Sequence, residues 1–204
     1  MKISKIEPQK KNKRRSSIFI DGEFKFGLSN DVVMKLDLHV DQELTTDEIQ
    51  TIVLAQEKER IRERAFRILR FHDRSSLELK DKLVRLGFDE PLVGEIIQDL
   101  TADKTVDDER FVLEFVSDYT KLNPKGNIFI AHQLRKKGIP PEVIDKITEK
   151  RDERTLAQEF MARKLKDLDA RDPKSKHKIF RRLVSRGFTP GIVYELLSGR
   201  ENHE

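Results

Sequence analysis

The apolar spacing between positions 74 and 88 predicts one complete helix with both ends written in: Arg74-Ser75-Ser76-Leu77-Glu78-Leu79-Lys80-Asp81-Lys82-Leu83-Val84-Arg85-Leu86-Gly87-Phe88. Ser75 and Glu78 stand three apart, as a capping box requires. Leu79, Leu83 and Leu86 come next at i, i+4 and i+7 and share a face. Gly87 ends the helix, because the left-handed residue that often closes a last turn is adopted freely only by glycine. The pattern recurs twice. A shift of 51 positions lays Ile130, Leu134 and Gly138-Ile139 over Leu79, Leu83 and Gly87-Phe88, and a further 49 brings Ile179, Leu183 and Gly187-Phe188 to the same places. No copy needs an internal gap.

The residues after each glycine repeat as well. Pro91, Pro140-Pro141 and Pro190 sit where a new helix would start, the position proline tolerates best. Leu92, Val93 and Ile96 are then matched by Val143, Ile144 and Ile147, and by Ile192, Val193 and Leu196. A looser helical pattern precedes each copy: Ile61, Ala65, Ile68 and Leu69; Phe111, Phe115 and Tyr119; Leu156, Phe160 and Leu165. The expectation is a mainly α chain, a tandem array of three three-helix repeats of roughly fifty residues, each too small to bury much core alone. Such an array is expected to be elongated and curved.

A small β-hairpin/α cap precedes the array. Ser17-Ile18-Phe19-Ile20 and Glu23-Phe24-Lys25-Phe26 flank Asp21-Gly22, the pair that a type I′ hairpin turn demands. Ile18, Ile20, Phe24 and Phe26 are expected on one face, Ser29 to Leu36 as a short helix, and Leu38-His39-Val40 as a third strand. Thr45 and Glu48 form another capping box, opening a long helix that no Gly or Pro interrupts before Phe71. The domain reading is a basic flexible arm over 1–16, the hairpin cap over 17–44, the linking helix with repeat 1 over 45–104, repeat 2 over 105–150, repeat 3 over 151–199 and a tail over 200–204. Asn123-Pro124-Lys125-Gly126 and Arg171-Asp172-Pro173 read as turns within repeats 2 and 3.

Composition narrows the class. Charged residues make up 38% of the 204 positions and apolar ones 36%, which suits thin helical units better than one large core. No run approaches the roughly 20 apolar residues that span a bilayer, and the polar, basic start is no signal peptide. With no cysteine, disulfides and thiolate chemistry are absent and a cytoplasmic setting fits. The net charge of +4 hides segregation: Met1–Arg15 holds seven cations against Glu7 alone, and Arg171–Arg200 is basic again. Such poles suit a charged partner.

Candidate chemistry is sparse. The histidines (His39, His72, His132, His177, His203) show no paired ligand spacing, and no phosphate loop or nucleophile elbow occurs. Asp107-Asp108-Glu109 is the one tight carboxylate cluster; a divalent metal, and with it a nuclease activity, is one reading, but acids at a helix start more often serve the helix dipole. No catalytic residue, cofactor or metal ligand is assigned. A helix-turn-helix reading fails on charge: Asp89-Glu90-Pro91 and Pro140-Pro141-Glu142 would repel phosphates at the supposed recognition helices. Positive charge lies on the second helices and the turns before them.

The motifs Arg74-Ser75-Ser76-x-Glu78-Leu79-x-x-Lys82-Leu83 with Gly87-Phe88, Asp107-Asp108-x-Arg110-Phe111-x-x-x-Phe115-Val116, and Leu134-x-x-Lys137-Gly138-Ile139 resemble, in linked order over residues 60–200, the RecX regulatory proteins. The resemblance implies a non-enzymatic monomer that lies in the groove of the RecA–single-stranded DNA filament and modulates filament extension, ATP hydrolysis and strand exchange. The candidate contacts on that reading are Arg70, Arg74, Lys82 and Arg85, then Lys136 and Lys137, then Arg181, Arg182 and Arg186. An alternative is direct nucleic-acid binding through the N-terminal arm and the basic side of repeat 3. Asn127-Ile128 after Gly126 departs from the basic residue that the family leads one to expect.

Overall fold

The computed structural model describes residues 1–121 and 124–199; the predicted tail at 200–204 and Asn123 of the predicted turn lie outside them. Three strands, β1 (Ile3–Pro8), β2 (Arg15–Ile20) and β3 (Glu23–Ser29), form an antiparallel meander in the order β1-β2-β3. Helix α1 (Asn30–Lys35) and the long α2 (Thr46–Leu69) come next. Eight further helices follow among the described residues, and with the C-terminal half of α2 they fall into the predicted threes. The C-terminal half of α2 is joined by α3 (Ser76–Arg85) and α4 (Glu90–Ala102). Then come α5 (Asp108–Lys121), α6 (Asn127–Lys136) and α7 (Pro141–Glu149), and last α8 (Glu153–Lys164), α9 (Pro173–Val184) and α10 (Pro190–Ser198). The chain divides into two compact units: Met1–His72 with Leu79–Ala102, and Asp73–Glu78 with the residues from Asp103 on. None of the described helices is long and apolar enough to cross a membrane.

The hairpin turn holds Asp21 and Gly22 at φ 50° and 91°, the double positive φ of type I′. Two expectations around it fail. The basic segment 1–16 is not a flexible arm: Ile3 is fully buried, and β1 pairs with β2 from Ile3↔Ile20 to Pro8↔Ser16. Its lysines hid a strand because only Ile3 and Ile6 are apolar within it. The cations Lys10, Lys11, Lys13 and Arg14 remain exposed, now in the β1–β2 connection. Nor is Leu38-His39-Val40 a strand, since Asp37 and Asp41 on either side sit at φ 47° and 71°, which breaks any extended run. Phe24 also leaves the inner face. A bulge between Ile18↔Phe26 and Phe19↔Phe24 flips the register, so Phe24 is 58% exposed and meets Phe19 edge-on at 5.9 Å.

The sheet's inner face (Ile3, Ile18, Ile20, Leu28) closes on Val32, Leu38, Leu44 and Ile52, so α2 completes the core that a bare sheet lacks. A buried polar contact fixes the seating: Gln56 Oε1 of α2 accepts the Ser29 backbone N–H at 2.7 Å. Along the repeats, Leu79, Leu83, Ile130, Leu134, Ile179 and Leu183 are all essentially inaccessible. Each second helix ends in the same turn. Phe88, Ile139 and Phe188 donate back to the carbonyls of Leu83, Leu134 and Leu183, with Gly87, Gly138 and Gly187 at φ 90°, 76° and 83°.

The starts are equally specific. Thr45 and Glu48 make the full capping box of α2, and Ser75 and Glu78 exchange the same pair of bonds at 3.2 and 3.4 Å. Arg171-Asp172-Pro173 is a helix start and not a free turn: Asp172 accepts the Ser175 N–H at 2.8 Å, and Pro173 occupies the first helical position. Helix α9 therefore begins three residues earlier than the positions matching α3 and α6.

These caps set an acid limit. Asp107 is held below the ordinary value of 3.8 chiefly by the Arg110 N–H, Asp152 by the Thr155 side chain and N–H, and Asp172 by the Ser175 N–H. A depressed folded-state pKa contributes stability above the unfolded value and loses it as pH falls through the folded value. The expected outcome is a loss of stability confined to pH below about 4. Combining Asp107→Asn, Asp152→Asn and Asp172→Asn should flatten that limb while keeping neutral-pH stability, because Asn also caps well; urea midpoints across pH 2–7 measure it.

Candidate partner-binding surface

The polar residues gather first at a junction that occurs twice, each time where the start of one second helix meets the end of the next. In the earlier copy, Ser76 donates both its N–H and its Oγ–H to the Asp108 carboxylate at 2.8 and 2.6 Å. Ser75 Oγ donates to the Lys137 carbonyl at 2.7 Å. In the later copy, the Asn127 N–H donates to Glu153 at 2.7 Å, and the Gly126 and Ile128 N–H groups donate to the Arg186 and Gly187 carbonyls at 3.2 and 3.0 Å. Ser76 and Asn127 are 51 positions apart, and Asp108 and Glu153 each open the first helix of the following repeat. A carboxylate from one repeat thus caps a helix of the repeat before it, supplying acceptors that helix starts lack.

Glycine is needed here for close approach. A Cβ on Gly126 would strike the Gly187 carbonyl and the Phe188 amide, one on Gly187 would strike Phe129, and one on Gly138 would come within 2.6 Å of Leu77. Around Gly87 the same position is open.

Two candidate contact residues are consumed by these junctions. Lys137 lies 2.6 Å from Glu78, with side chains only 21% and 27% exposed, and its Nζ sits 5.3 and 5.5 Å from the Phe111 and Phe115 ring centres. Arg186 stacks 4.4 Å from the Phe160 ring centre and donates to the Pro124 carbonyl at 3.1 Å; desolvation lowers its pKa. Both cations close the back of a glycine turn. Arg74 is half-buried, and its Nε is enclosed without a hydrogen bond. The others are exposed: Arg70 beyond the end of α2, Lys82 and Arg85 on α3, Lys136 on α6, Arg181 and Arg182 on α9. Arg85 has only a 3.8 Å ion pair with Asp81. Arg182 shares a shallow hollow over Phe160 and Leu165 with Lys164 and Arg186, which brings in a lysine the sequence did not single out.

Sequence reasoning missed the centre of the later junction. Glu153, 3% exposed, accepts from Asn127 and from both the N–H and Oγ–H of Thr189. Arg151 beside it donates to Asn127 Oδ1 and to the Lys125 carbonyl, and burial lowers its pKa. Asn127, the departure from the family pattern, is therefore a junction residue. The signal was Glu153 placed like Asp108, masked because the first helices align only with gaps. The carboxylates of the candidate metal cluster are otherwise engaged: Asp107 accepts the Glu109 and Arg110 N–H groups, and Asp108 holds Ser76. Among the described residues no three acidic or histidine side chains are grouped to hold an ion.

Gly87→Ala should cost about 1 kcal/mol through left-handed strain alone. Gly138→Ala and Gly187→Ala should add overpacking, for roughly 2–4 kcal/mol in total; urea unfolding ranks the three. Glu153→Ala leaves Asn127 and Thr189 donors unmet inside the protein and should cost on the order of 3 kcal/mol. An unfolding midpoint equal to that of the unsubstituted chain would refute the bridging role.

Comparisons with known proteins agree with this architecture. Residues 1–45 match the regulatory protein RecX N-terminal domain, 62–100 the first RecX three-helix domain and 107–146 the second. The regulatory protein RecX of Clostridium beijerinckii is 29% identical over 202 residues, covering 96% of this chain and 94% of that protein. That of Bacillus subtilis is 34% identical over 142 residues, covering 70% of this chain and 54% of that protein. A crystal structure of a regulatory protein RecX superposes with a TM-score of 0.80 at 27% identity, covering 98% and 99% of the two chains. The RecX of Lactobacillus salivarius shares the fold at a TM-score of 0.56 and 24% identity, over 71% of this chain and 97% of that one. The N-terminal sheet, the successive three-helix units and these matches together make the chain a member of the RecX family of regulatory proteins.

Proposed function

We propose that this chain regulates the RecA recombinase without catalysis of its own, by binding the RecA–single-stranded DNA filament and hindering its extension, ATP hydrolysis and strand exchange. The supporting observation is the set of cations that the fold leaves free for a partner. Arg70, Lys82, Lys136, Arg181 and Arg182 are exposed and have no carboxylate partner among the described residues, while Lys137 and Arg186 serve the junctions. Exposed charges of one sign accelerate encounter and set register more than they add affinity. Several weak contacts carried on one chain multiply where the partner is a polymer of repeating protomers. The protein acts as a monomer in the bacterial cytoplasm and needs no cofactor.

Direct nucleic-acid binding is the second reading. It is favoured by the exposed Lys174, Lys178, Arg181 and Arg182 on α9 and by the Lys10–Arg14 loop. Binding at physiological salt to bare single-stranded DNA and to the RecA-coated filament separates the two; equal affinity for both would defeat the filament reading. The combined substitution Lys136→Glu, Arg181→Glu and Arg182→Glu should slow association with the filament about tenfold or more and weaken its salt dependence. Its unfolding midpoint should stay unchanged. Charge reversal at these three positions without effect on association would remove them from the contact surface.

A further inference from the structure

The second helices of the three repeats share one kind of end, and two of these ends show what they bind. The turn at Arg135–Ile139 receives Ser75–Glu78: a hydroxyl on the Lys137 carbonyl, Leu77 against Gly138, and Glu78 on the Lys137 ammonium. The turn at Val184–Phe188 receives Gly126–Phe129, with amides on the Arg186 and Gly187 carbonyls and Phe129 against Gly187. In both, a helix start with a small cap residue docks on a helix end, so free amides meet free carbonyls and opposed dipole ends face each other.

The first turn of the series has no such guest. Nothing approaches the place a Gly87 Cβ would take, and Leu86, in the position of Lys137 and Arg186, is 41% exposed. The Leu86 and Gly87 carbonyls accept no hydrogen bond among the described residues. Phe88 is only half-buried where Ile139 and Phe188 are buried. Lys82 and Arg85 stand exposed on the same helix end.

We infer that the Lys82–Phe88 turn is a receptor for the first turn of a helix on a partner protein, one that begins with a small hydroxyl or glycine cap and carries an acid near its third position. The inference rests on the filament reading above and takes a RecA protomer in the filament as the source of that helix. A second copy of this chain is the poorer guest. Its remaining second-helix start, α9, begins three residues early and is capped by its own Asp172. It also presents Lys176, His177 and Lys178 where the receptor's Lys82 and Arg85 call for negative charge.

The test uses the full chain with Leu86→Asp and, separately, Gly87→Asn. Asn tolerates the left-handed backbone while placing a side chain where the incoming helix would lie. Affinity for preassembled RecA–single-stranded DNA filaments, urea midpoints and sedimentation velocity are the readouts. Each variant should bind the filament about tenfold or more weakly with an unchanged midpoint and a monomeric profile. Filament affinity equal to that of the unsubstituted chain in either variant overturns the inference while leaving the filament reading intact. Dimers of the unsubstituted chain that both variants dissolve would give the turn to a second copy and overturn it too. An unsubstituted chain that ignores the filament defeats both together.

Discussion

Every helix start leaves amides without acceptors and every helix end leaves carbonyls without donors, and short helices in succession multiply that burden. In this protein the two deficits are matched against each other. The starts of α3 and α6 dock on the ends of α6 and α9, and the Asp108 or Glu153 carboxylate satisfies the amide that docking leaves over. Glycines at 126, 138 and 187 are what allow the docked segments to come close enough. The hydrophobic clusters on either side, Phe111 to Ile144 in one repeat and Leu156 to Leu197 in the next, are small and separate. Polar matching at the junctions therefore carries a large share of the continuity between these repeats.

The same matching sorts the cations into two populations. Lys137 and Arg186 precede their glycines, lie over the aromatic rings of their own repeats and are drawn inward by the junction. Lys136, on α6, and Arg181 and Arg182, on α9, remain in solvent. One residue of displacement along a helix, about 100° of rotation, separates a structural cation at 137 from an available one at 136. A basic cluster counted along the chain mixes the two, and only the second kind is offered to a partner. The carboxylates behave likewise: Asp107, Asp108 and Glu153 are committed to backbone donors and hydroxyls.

The N-terminal module obeys a different logic. Its sheet has one apolar face, covered by α1, α2 and the turn-rich stretch from Asp37 to Leu44, and Gln56 ties the sheet to α2 through a single buried amide. The basic character of residues 1–15 belongs to the outer face of β1 and to the β1–β2 connection, so its charges are presented on an ordered hairpin.

Local chemistry was enough to specify the three helical repeats, the long α2, the type I′ turn, the capping boxes at Thr45 and Ser75 and the left-handed stops at Gly87, Gly138 and Gly187. These features depend on residues within about one turn of each other, where spacing and side-chain type decide the backbone. Tertiary structure alone decided the rest. β1 became a strand because β2 offered it an edge, Phe24 left the core because a bulge shifted its register, and Leu38 was buried without strand pairing. Asp108, Glu153 and Lys137 drew their roles from partners 26 to 62 positions away, as in Asn127–Glu153 and Ser75–Lys137. A residue's charge is written in the chain, but whether solvent or a neighbouring helix end receives it depends on which backbone arrives beside it.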